Sequence, residues 1–473
     1  MAVYEGELND KNITGIFHEA GDFIRRELWC SGQRLYAYAI DGLIAAGSAS
    51  DYVIKPITEQ LKGSSMRELC QLALRGMIYN VVAVSCEDLH SVAMKLVNGF
   101  CVVLFPGEGA IAFEVKTPDK RGTSAPDVEN TVKGAKDAFV ETVRSNTSYV
   151  RRHLRSPDLR IYETQIGRRS LTNVSLVWLE GVTNYELVSR MKRRLAQIDI
   201  DGMITPASVE EYLTGSRKTP FPLLQYTERP DRFSSGILKG RVGLLVDGLP
   251  IGYLAPVDIG YLMNSPEDMS RDYISASWIR ILRYIALIGS FLLPAIYVAL
   301  TVFHKNYIPP TLLSIIEEGR DGLPYSSAWE VVGLLIAFEL LQETGIHLPQ
   351  NIGQSVSIIG GIVLGTTAVE AGLISPMALI VVSLVGICGF VIPNRDLATA
   401  VRVCRFALTL AAAFFGLTGV IAGAVLLLVH LSLLRSLGVP YLVFAEPTII
   451  RQRLVKEKRR SENGKNEDEY KQK

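Results

Sequence analysis

The sequence predicts an α/β N-terminal region of two subdomains followed by a C-terminal α-helical transmembrane domain. The first observation is the distribution of charge: residues 284–434 hold 13 charged side chains in 151 positions, whereas the other 322 residues carry 84. The second is a series of long uncharged apolar runs inside that segment. The third is the alternation of strand-like and helix-like patches over residues 1–270. No soluble domain is so poor in charge over 150 residues, so we expect a membrane protein with a large water-soluble part.

Composition shifts along the chain divide it into five parts. The predicted parts are a first α/β subdomain (1–125), a connecting amphipathic helix (126–156), a second α/β subdomain (157–270), a transmembrane helical domain (271–445) and a basic, disordered cytoplasmic tail (446–473). The tail mixes charged and amide side chains without a core of apolar residues, a composition typical of disorder.

In the N-terminal region, short-range patterns predict individual elements. Residues 94–115 and 241–257 read as hairpins, because Gly-rich or Asp-Gly pairs interrupt β-branched and aromatic runs. Apolar residues at helical spacing predict a helix over residues 127–155, which ends in a basic cluster before Ser-Pro. Further predictions are strands at 174–179 and 241–246 and helices at 185–195 and 206–213.

Several classes of function are disfavoured by composition. A net charge of +1 argues against binding nucleic acid by bulk electrostatic attraction. The six cysteines form no C-x-x-C pair and are scattered along the chain, so we expect no metal, no cofactor and free thiols in a reducing compartment. No Ser/His/acid or Cys/His set stands out, so we expect no enzyme. The N-terminus lacks the pattern of a signal peptide, which favours a cytoplasmic first domain.

Four uncharged runs predict transmembrane spans, at 284–303, 351–369, 371–394 and 406–434. Each is long enough, or nearly so, to cross about 30 Å of hydrocarbon. Residues 328–343 are apolar but carry three glutamates, Glu330, Glu339 and Glu343. Because a carboxylate at the bilayer centre is unfavourable by several kcal/mol, we interpret this segment as an interfacial or partly inserted helix rather than a fifth span.

Basic residues near the spans predict the orientation. Three arginines precede the first span, six basic residues follow the last within 451–460, and the loop 304–350 has six acidic and two basic residues. The N-terminal region and the tail are therefore expected on the cytoplasmic side, which requires an even number of spans. In a four-span arrangement Arg395, Arg402 and Arg405 fall on the outer side, and we interpret them as part of an amphipathic helix along the interface.

The residue-by-residue sequences of several segments are more informative about the protein family than their hydrophobic periodicity. Residues 314–325 (SIIEEGRDGLPY), 348–361 (LPQNIGQSVSIIGG) and 368–376 (AVEAGLISP) resemble signatures of the GerA family, the A subunits of bacterial spore germinant receptors. Residues 134–147, 165–170 and 228–231, the last continuing into 240–250, resemble the same family in order along the chain.

The resemblance implies a subunit of a nutrient-responsive receptor in the spore inner membrane. Its expected partners are a transporter-like B subunit, a lipoprotein C subunit, membrane lipid and further copies of itself in a ring that conducts ions, with no nucleic acid. Two other classes stay open, namely a secondary transporter and a membrane-anchored enzyme. A transporter is less favoured because the two halves of the membrane part share no visible repeat.

The run from 351 to 370 offers two faces for a channel helix. Small residues recur every four positions, and this spacing is typical of close helix packing in lipid: Gly353, Ser357, Gly361 and Gly365. A neighbouring stripe is polar, then apolar at two positions, then polar and acidic, which suits a pore with an apolar constriction: Ser355, Ile359, Ile362, Thr366 and Glu370. An alternative for Glu370 is that it only caps the turn before Gly372.

Overall fold

The computed structural model describes residues 4–78, 82–117, 126, 129, 134–202, 206–215, 219–347 and 365–443. The chain divides into two compact units, one of residues 1–216 and 224–256 and the other of residues 217–223 and 257–473. The predicted tail at 446–473 lies outside the described residues.

The first unit begins with a five-stranded antiparallel sheet whose strands follow the order β1-β2-β4-β5-β3. Its strands are β1 (Phe23–Cys30), β2 (Gln33–Ile40), β3 (Ala83–Cys86), β4 (Phe100–Phe105) and β5 (Gly109–Glu114). Its helices are α1 (Asp10–Ile16), α2 (Ala46–Ala49, continued by wider helical turns to Gln60), α3 (Met66–Leu72) and α4 (Leu89–Val97).

Both faces of this sheet are covered, so the subdomain has three layers. Alternate side chains of a strand point to opposite faces. In β2, Tyr38 and Ile40 pack with α1 and α4, whereas Ala37 and Ala39 pack with α3 and the turns after α2. Because both faces of the sheet are covered, the central strand β4 is buried along its whole length.

A second antiparallel sheet follows in the same unit, with the order β6-β7-β9-β10-β8. Its strands are β6 (Leu159–Ile166), β7 (Thr172–Leu179), β8 (Gln225–Thr227), β9 (Val242–Val246) and β10 (Gly252–Ala255). Its helices are α5 (Val143–His153), α6 (Tyr185–Ala196), α7 (Pro206–Thr214) and α8 (Pro230–Leu238). The ring of Phe233 packs on two glycines of neighbouring strands, Gly243 and Gly252, where an added Cβ would come within 2.2 Å and 2.6 Å of that ring.

Most elements predicted for this region are confirmed. Strands β7 and β9 and helices α6 and α7 lie where the local patterns predicted them. The predicted hairpins are β4–β5 and β9–β10, with turns at 106–108 and 247–251. The pair Asn98-Gly99 is no hairpin turn, because it ends helix α4.

The predicted helix over 127–155 is wrong over much of its length, because α5 begins only at Val143 and residues 134–142 are not helical. Phe139 is buried edge-on against Phe233, with the ring centroids 5.5 Å apart. The buried amide of Asn146 donates to the carbonyl of Val140 and accepts from its N–H. These tertiary contacts hold the segment in a non-helical conformation, despite its helical periodicity.

The second unit is mainly helical. Its helices are α9 (Ile259–Leu262), α10 (Tyr273–Val302), α11 (Pro310–Glu318), α12 (Ser327–His347), α13 (described over 365–370), α14 (Pro376–Phe390) and α15 (Arg395–Leu433). A two-stranded ribbon, β11 (Arg435–Ser436) and β12 (Val439–Pro440), follows. Among the described residues, α10 and α15 are long and apolar enough to cross a membrane, and α14 is a shorter apolar helix.

Helix α15 is two helices that fold back on each other at Gly416. This glycine has φ +60° and ψ −142°, outside the helical region. A Cβ on Gly419 would lie 2.3 Å from the carbonyl oxygen of Ala411, and one on Gly423 would lie 2.5 Å from Leu408 Cδ1. In an unbroken helix, residues 408 and 423 would be separated by about 22 Å. The prediction of one continuous span over 406–434 is therefore wrong.

Candidate functional site

The predicted pore helix is described only at its C-terminal end. Ser355, Ile359 and Ile362, with Gly353, Ser357 and Gly361, lie outside the described residues. In α13, Thr366 and Glu370 are exposed, whereas Gly365 is buried. An added Cβ on Gly365 would lie 3.3 Å from Leu379 of α14. At this end the polar side chains and the glycine therefore lie on different sides of the helix, and the assignment of a pore stays a prediction.

The helical unit contains a buried acid, Glu330 of α12. Its carboxylate is fully buried and accepts a hydrogen bond of 2.9 Å from the hydroxyl of Ser375. The guanidinium of Arg320 lies 3.6 Å from the other carboxylate oxygen. Ser375 also caps α14 by accepting from the N–H of Ala378. One carboxylate thus joins α12, the segment after α11 and the start of α14.

A second charged cluster lies further along α12. Arg402 donates to Glu339 at 2.7 Å and to Gln342 at 2.5 Å, and a guanidinium nitrogen of Arg405 lies 3.7 Å from the other oxygen of Glu339. The side chain of Arg405 is buried inside the unit, so the interpretation of a helix that places Arg395, Arg402 and Arg405 along the membrane surface is wrong for Arg405.

These contacts weaken the argument that the glutamates of α12 exclude a membrane span. The sequence argument against a span relied on unpaired carboxylates in hydrocarbon. Glu330 and Glu339 both have cationic or hydroxyl partners within the unit, and paired charges that face a bundle interior are tolerated in membranes. The partners lie 45 to 66 positions away in sequence or in an adjoining loop, so only the folded chain reveals them.

In the first unit, ion pairs join the two sheets. Asp22 and Arg151 form a bidentate pair with distances of 2.7 Å and 2.8 Å, and both side chains are 1% exposed. The N–H of Gly21 donates to the carbonyl of Ile161, and Arg160 donates to the carbonyl of Ile16. These contacts connect the segment before β1 to α5 and β6. A buried, polar junction therefore joins the two sheets.

Asp10 and Asp137 are among the carboxylates of this unit whose pKa values are lowered. Arg25 binds both oxygens of Asp10 at 2.7 Å and holds the pKa of that carboxyl below its usual range, with a further contribution from the Tyr38 hydroxyl. His153 lies 2.8 Å from Asp137 and lowers the pKa of Asp137 in the same manner. Both pairs stabilise local structure.

The cysteines are free thiols. Cys30, Cys86 and Cys101 are buried in the first sheet, and burial raises the pKa of Cys101 to about 12, which makes a reactive thiolate unfavourable. Within the described parts of the chain, no group of three or more His, Cys, Asp or Glu side chains could hold a metal ion.

Comparison with known proteins decides the family. The family profile described as "Bacillus/Clostridium GerA spore germination protein" matches residues 11–463. The chain belongs to the GerA family. Relatives of this GerA protein include spore germination protein KA of Bacillus subtilis, 31% identical over 91% of this chain and 80% of that protein. Spore germination protein A1 of B. subtilis is 34% identical over 75% and 74% of the two chains.

Not every relative of this chain is named for germination. The uncharacterized membrane protein YfkQ of B. subtilis is 32% identical over 93% of this chain and 86% of its own. Among solved structures, the N-terminal domain of the A subunit of the Bacillus megaterium spore germinant receptor GerK3 is similar, with 24% identity, a TM-score of 0.41, and coverage of 52% of this chain and 92% of that domain.

Proposed function

We propose that this GerA protein is a subunit of a nutrient-responsive germinant receptor in the spore inner membrane, where it forms an oligomeric nutrient-gated ion channel. The observation that carries the proposal is the family match over nearly the whole chain, in which relatives named as spore germination proteins align with both units. The proposed partners are a transporter-like B subunit and a lipoprotein C subunit. Release of ions through the channel would then trigger germination.

The proposed membrane topology has the chain enter and leave the helical unit on the same side. The chain enters the helical unit at Val257 and leaves the described part at Val443. The N–H groups of Ile259 and Gly260 donate to the carbonyls of Tyr441 and Val443. We call this the entry end. The opposite end of α10, the far end, contacts Gly416, because a Cβ there would lie 3.1 Å from Phe303.

The helices can be followed between these two ends. The first half of α15 runs from the entry end to Gly416 and the second half returns. Helix α12 starts at the far end, where Val302, Ala328 and Leu410 line one cavity of 100 Å³. Helix α14 also starts there, since Ser375 bonds to Glu330.

Together with α10 and the predicted span at 351–369, these segments give six crossings in place of the four that the sequence predicts. Six is also even, so the entry and exit of the chain stay on the same side. Arg395 then moves from the outer to the cytoplasmic side, and Arg402 lies about 21 Å from Gly416 along its helix, toward that side. This arrangement agrees with the excess of basic residues on cytoplasmic loops.

The proposed gate is the apolar collar of Ile359 and Ile362 in several copies of one helix, with Thr366 and Ser355 in the polar lining and Glu370 at one mouth. Water in a narrow apolar collar is unstable, so the closed pore would be held by dewetting. The small-residue face with Gly361 and Gly365 would pack against neighbouring helices.

The test is ion flux through the purified protein in liposomes and the dormancy of spores that carry variants. Ile362→Ala should leak ions without nutrient and give spores that lose dormancy, because a smaller side chain widens the collar. Glu370→Gln should lower cation conductance but leave the pore closed at rest. As a matched change on the other face, Gly361→Leu should reduce oligomer yield. Dormant, nutrient-responsive Ile362→Ala spores with normal protein levels would contradict this gate.

A secondary transporter is the second candidate, which the sequence leaves open. Transporters of this kind use discontinuous helices around a site near the bilayer midplane, whereas the break at Gly416 lies at the far end of the unit. The liposome assay separates the two functions. A channel passes ions down their gradient without saturation by a coupled solute, whereas a transporter shows saturable, coupled uptake.

A further inference from the structure

The exposed side chains of the helical unit differ in kind between the middles and the ends of its helices. In the middle of α10, α14 and α15 the large exposed side chains are aliphatic, as at Ile288, Leu384 and Val425. Exposed aromatic side chains lie at or near helix ends, such as Trp278 and Phe390 at the entry end. Because Tyr and Trp are enriched at both membrane–water interfaces, this distribution indicates an interface at each end. The exposed aromatic residues of the far end, which we call the far belt, are Phe303, Tyr307, Tyr325, Trp329, Phe414 and Phe415.

Several separate elements contribute to the far belt. Trp329 of α12 and Phe414 of α15 line the same small cavity. The ring of His304, in the loop after α10, has its centroid 6.1 Å from that of Tyr307. A Cβ on Gly416 would lie 3.0 Å from the same imidazole. Aromatic side chains from the loop after α10, from α12 and from α15 therefore meet beside the reversal of α15.

Helix α11 lies in the chain between two residues of the far belt, Tyr307 and Tyr325. Its nine residues extend about 13.5 Å, far less than the roughly 30 Å of a hydrocarbon core, so α11 is too short to span a membrane. Ile316 is buried in the unit, whereas Leu312 and Ile315 are exposed although they are also apolar. These two residues are three positions apart and so share one face of the helix, which we call the apolar face of α11.

The polar side chains of α11 lie on another side of the helix. Ser314 and Glu318 are exposed, and helical geometry directs them about 110° away from the apolar face. An exposed apolar face beside a polar one is the pattern of a helix that lies along a membrane surface. Helix α11 contains no basic residue, and Lys305 before it is paired with Glu317 at 2.8 Å. Apolar contact would therefore hold α11 at a membrane, rather than attraction to anionic lipid.

We propose that α11 lies in the membrane–water interface at the far end and that its apolar face binds the lipid surface. Helices of this kind bury their apolar face about 5–10 Å into the boundary between head groups and acyl chains. Lipid is the partner because the far belt, which flanks α11 on both sides in the chain, has the aromatic composition of a lipid interface. The contact would hold the end of α10 and the start of α12 at head-group level. The inference rests on the membrane location in the proposed function, but not on ion conduction or nutrient response.

The test is quenching of tryptophan fluorescence in the full-length protein, reconstituted in phosphatidylcholine vesicles. Ile315→Trp places the reporter on the apolar face of α11, and Glu318→Trp is the matched control on the polar side of the same helix. Trp178 is kept, because it is buried in the first unit and adds a constant signal. Bromine atoms on the acyl chains quench from the lipid, and iodide, present on both sides of the vesicles, quenches from the water. The background replaces the exposed tryptophans by phenylalanine: Trp29, Trp278 and Trp329.

Lipid brominated near the head group should cause a larger loss of emission in Ile315→Trp than in Glu318→Trp, and iodide should have the reverse order. Equal quenching of the two variants by iodide would place α11 in water. Shielding of Ile315→Trp from both quenchers would mean that protein covers the apolar face, and either result would overturn the proposal. Ile288→Trp, exposed midway along α10, checks the membrane location separately. Quenching of this variant by lipid brominated near the chain end supports that location, whereas quenching by iodide would contradict it, and the proposed function with it.

Discussion

The reversal at Gly416 can be tested by cross-linking Leu408→Cys with Gly423→Cys. A Cβ on Gly423 lies 2.5 Å from the Leu408 side chain, so the two positions face each other across the hairpin. In a straight helix their Cα atoms would lie about 22 Å apart, and a disulfide needs about 4.4 to 6.8 Å. We therefore expect most of the double variant to form an intrachain disulfide under mild oxidation.

The assay counts free thiols by gel shift with a maleimide-linked polymer under denaturing conditions. The chain has six cysteines, and replacing Cys388 and Cys404 by alanine leaves four in the background. The disulfide-bonded variant should then still show four labelled thiols, and six after reduction.

The matched control is Leu397→Cys with Ala412→Cys. These positions are also 15 residues apart, but they lie on one unbroken half of α15, so they should remain reduced. Six labelled thiols in oxidised Leu408→Cys/Gly423→Cys protein would refute the folded-back geometry and with it the six-crossing arrangement. Disulfide formation in the control as well would mean that the reaction reports collision rather than structure.

Three further predictions follow from other contacts. Asp22→Ala should lower the free energy of unfolding by about 3–5 kcal/mol, because it leaves the buried guanidinium of Arg151 unpaired, and adding Arg151→Met should recover part of that loss in denaturant titrations. The lowered pKa of Asp10 gives stability that is present above its unfolded pKa of about 3.9 and is lost as pH falls through the folded value, so the advantage of wild type over Asp10→Asn in unfolding midpoint should shrink below about pH 4. Gly416→Ala should destabilise the protein by about 1–3 kcal/mol in thermal unfolding, whereas Gly333→Ala, in a helix with no atom within 4 Å of the new Cβ, should be neutral or stabilising.

Local patterns predicted the N-terminal elements well because their signals are short-range. The hairpins β4–β5 and β9–β10 follow from turn residues between apolar runs, and helix α6 lies where the sequence predicted a helix. The segment before α5 has helical spacing too, yet Phe139 is drawn into the core beside Phe233. Periodicity does not report such a contact, because its partner is 94 positions away.

The candidate site shows the same division. The sequence predicts a pore helix from its stripes, whereas the partners of Glu330 and Glu339 are visible only in the structure. Glycines are common in transmembrane helices, so Gly416 carried no signal that the chain reverses there. Its positive φ and the contact between Gly419 and Ala411 depend on two helices meeting face to face.

The sequence by itself determined that this protein has a charged α/β region and a charge-poor helical region, and its motifs determined the GerA family. Those properties follow from composition and short-range spacing, because apolar surroundings disfavour charge whichever way the helices pack. The tertiary structure alone decided which charges are paired, where α15 folds back, and how the helices run between the two ends. Each of these depends on contacts between residues far apart in the chain, whose energies local periodicity does not encode.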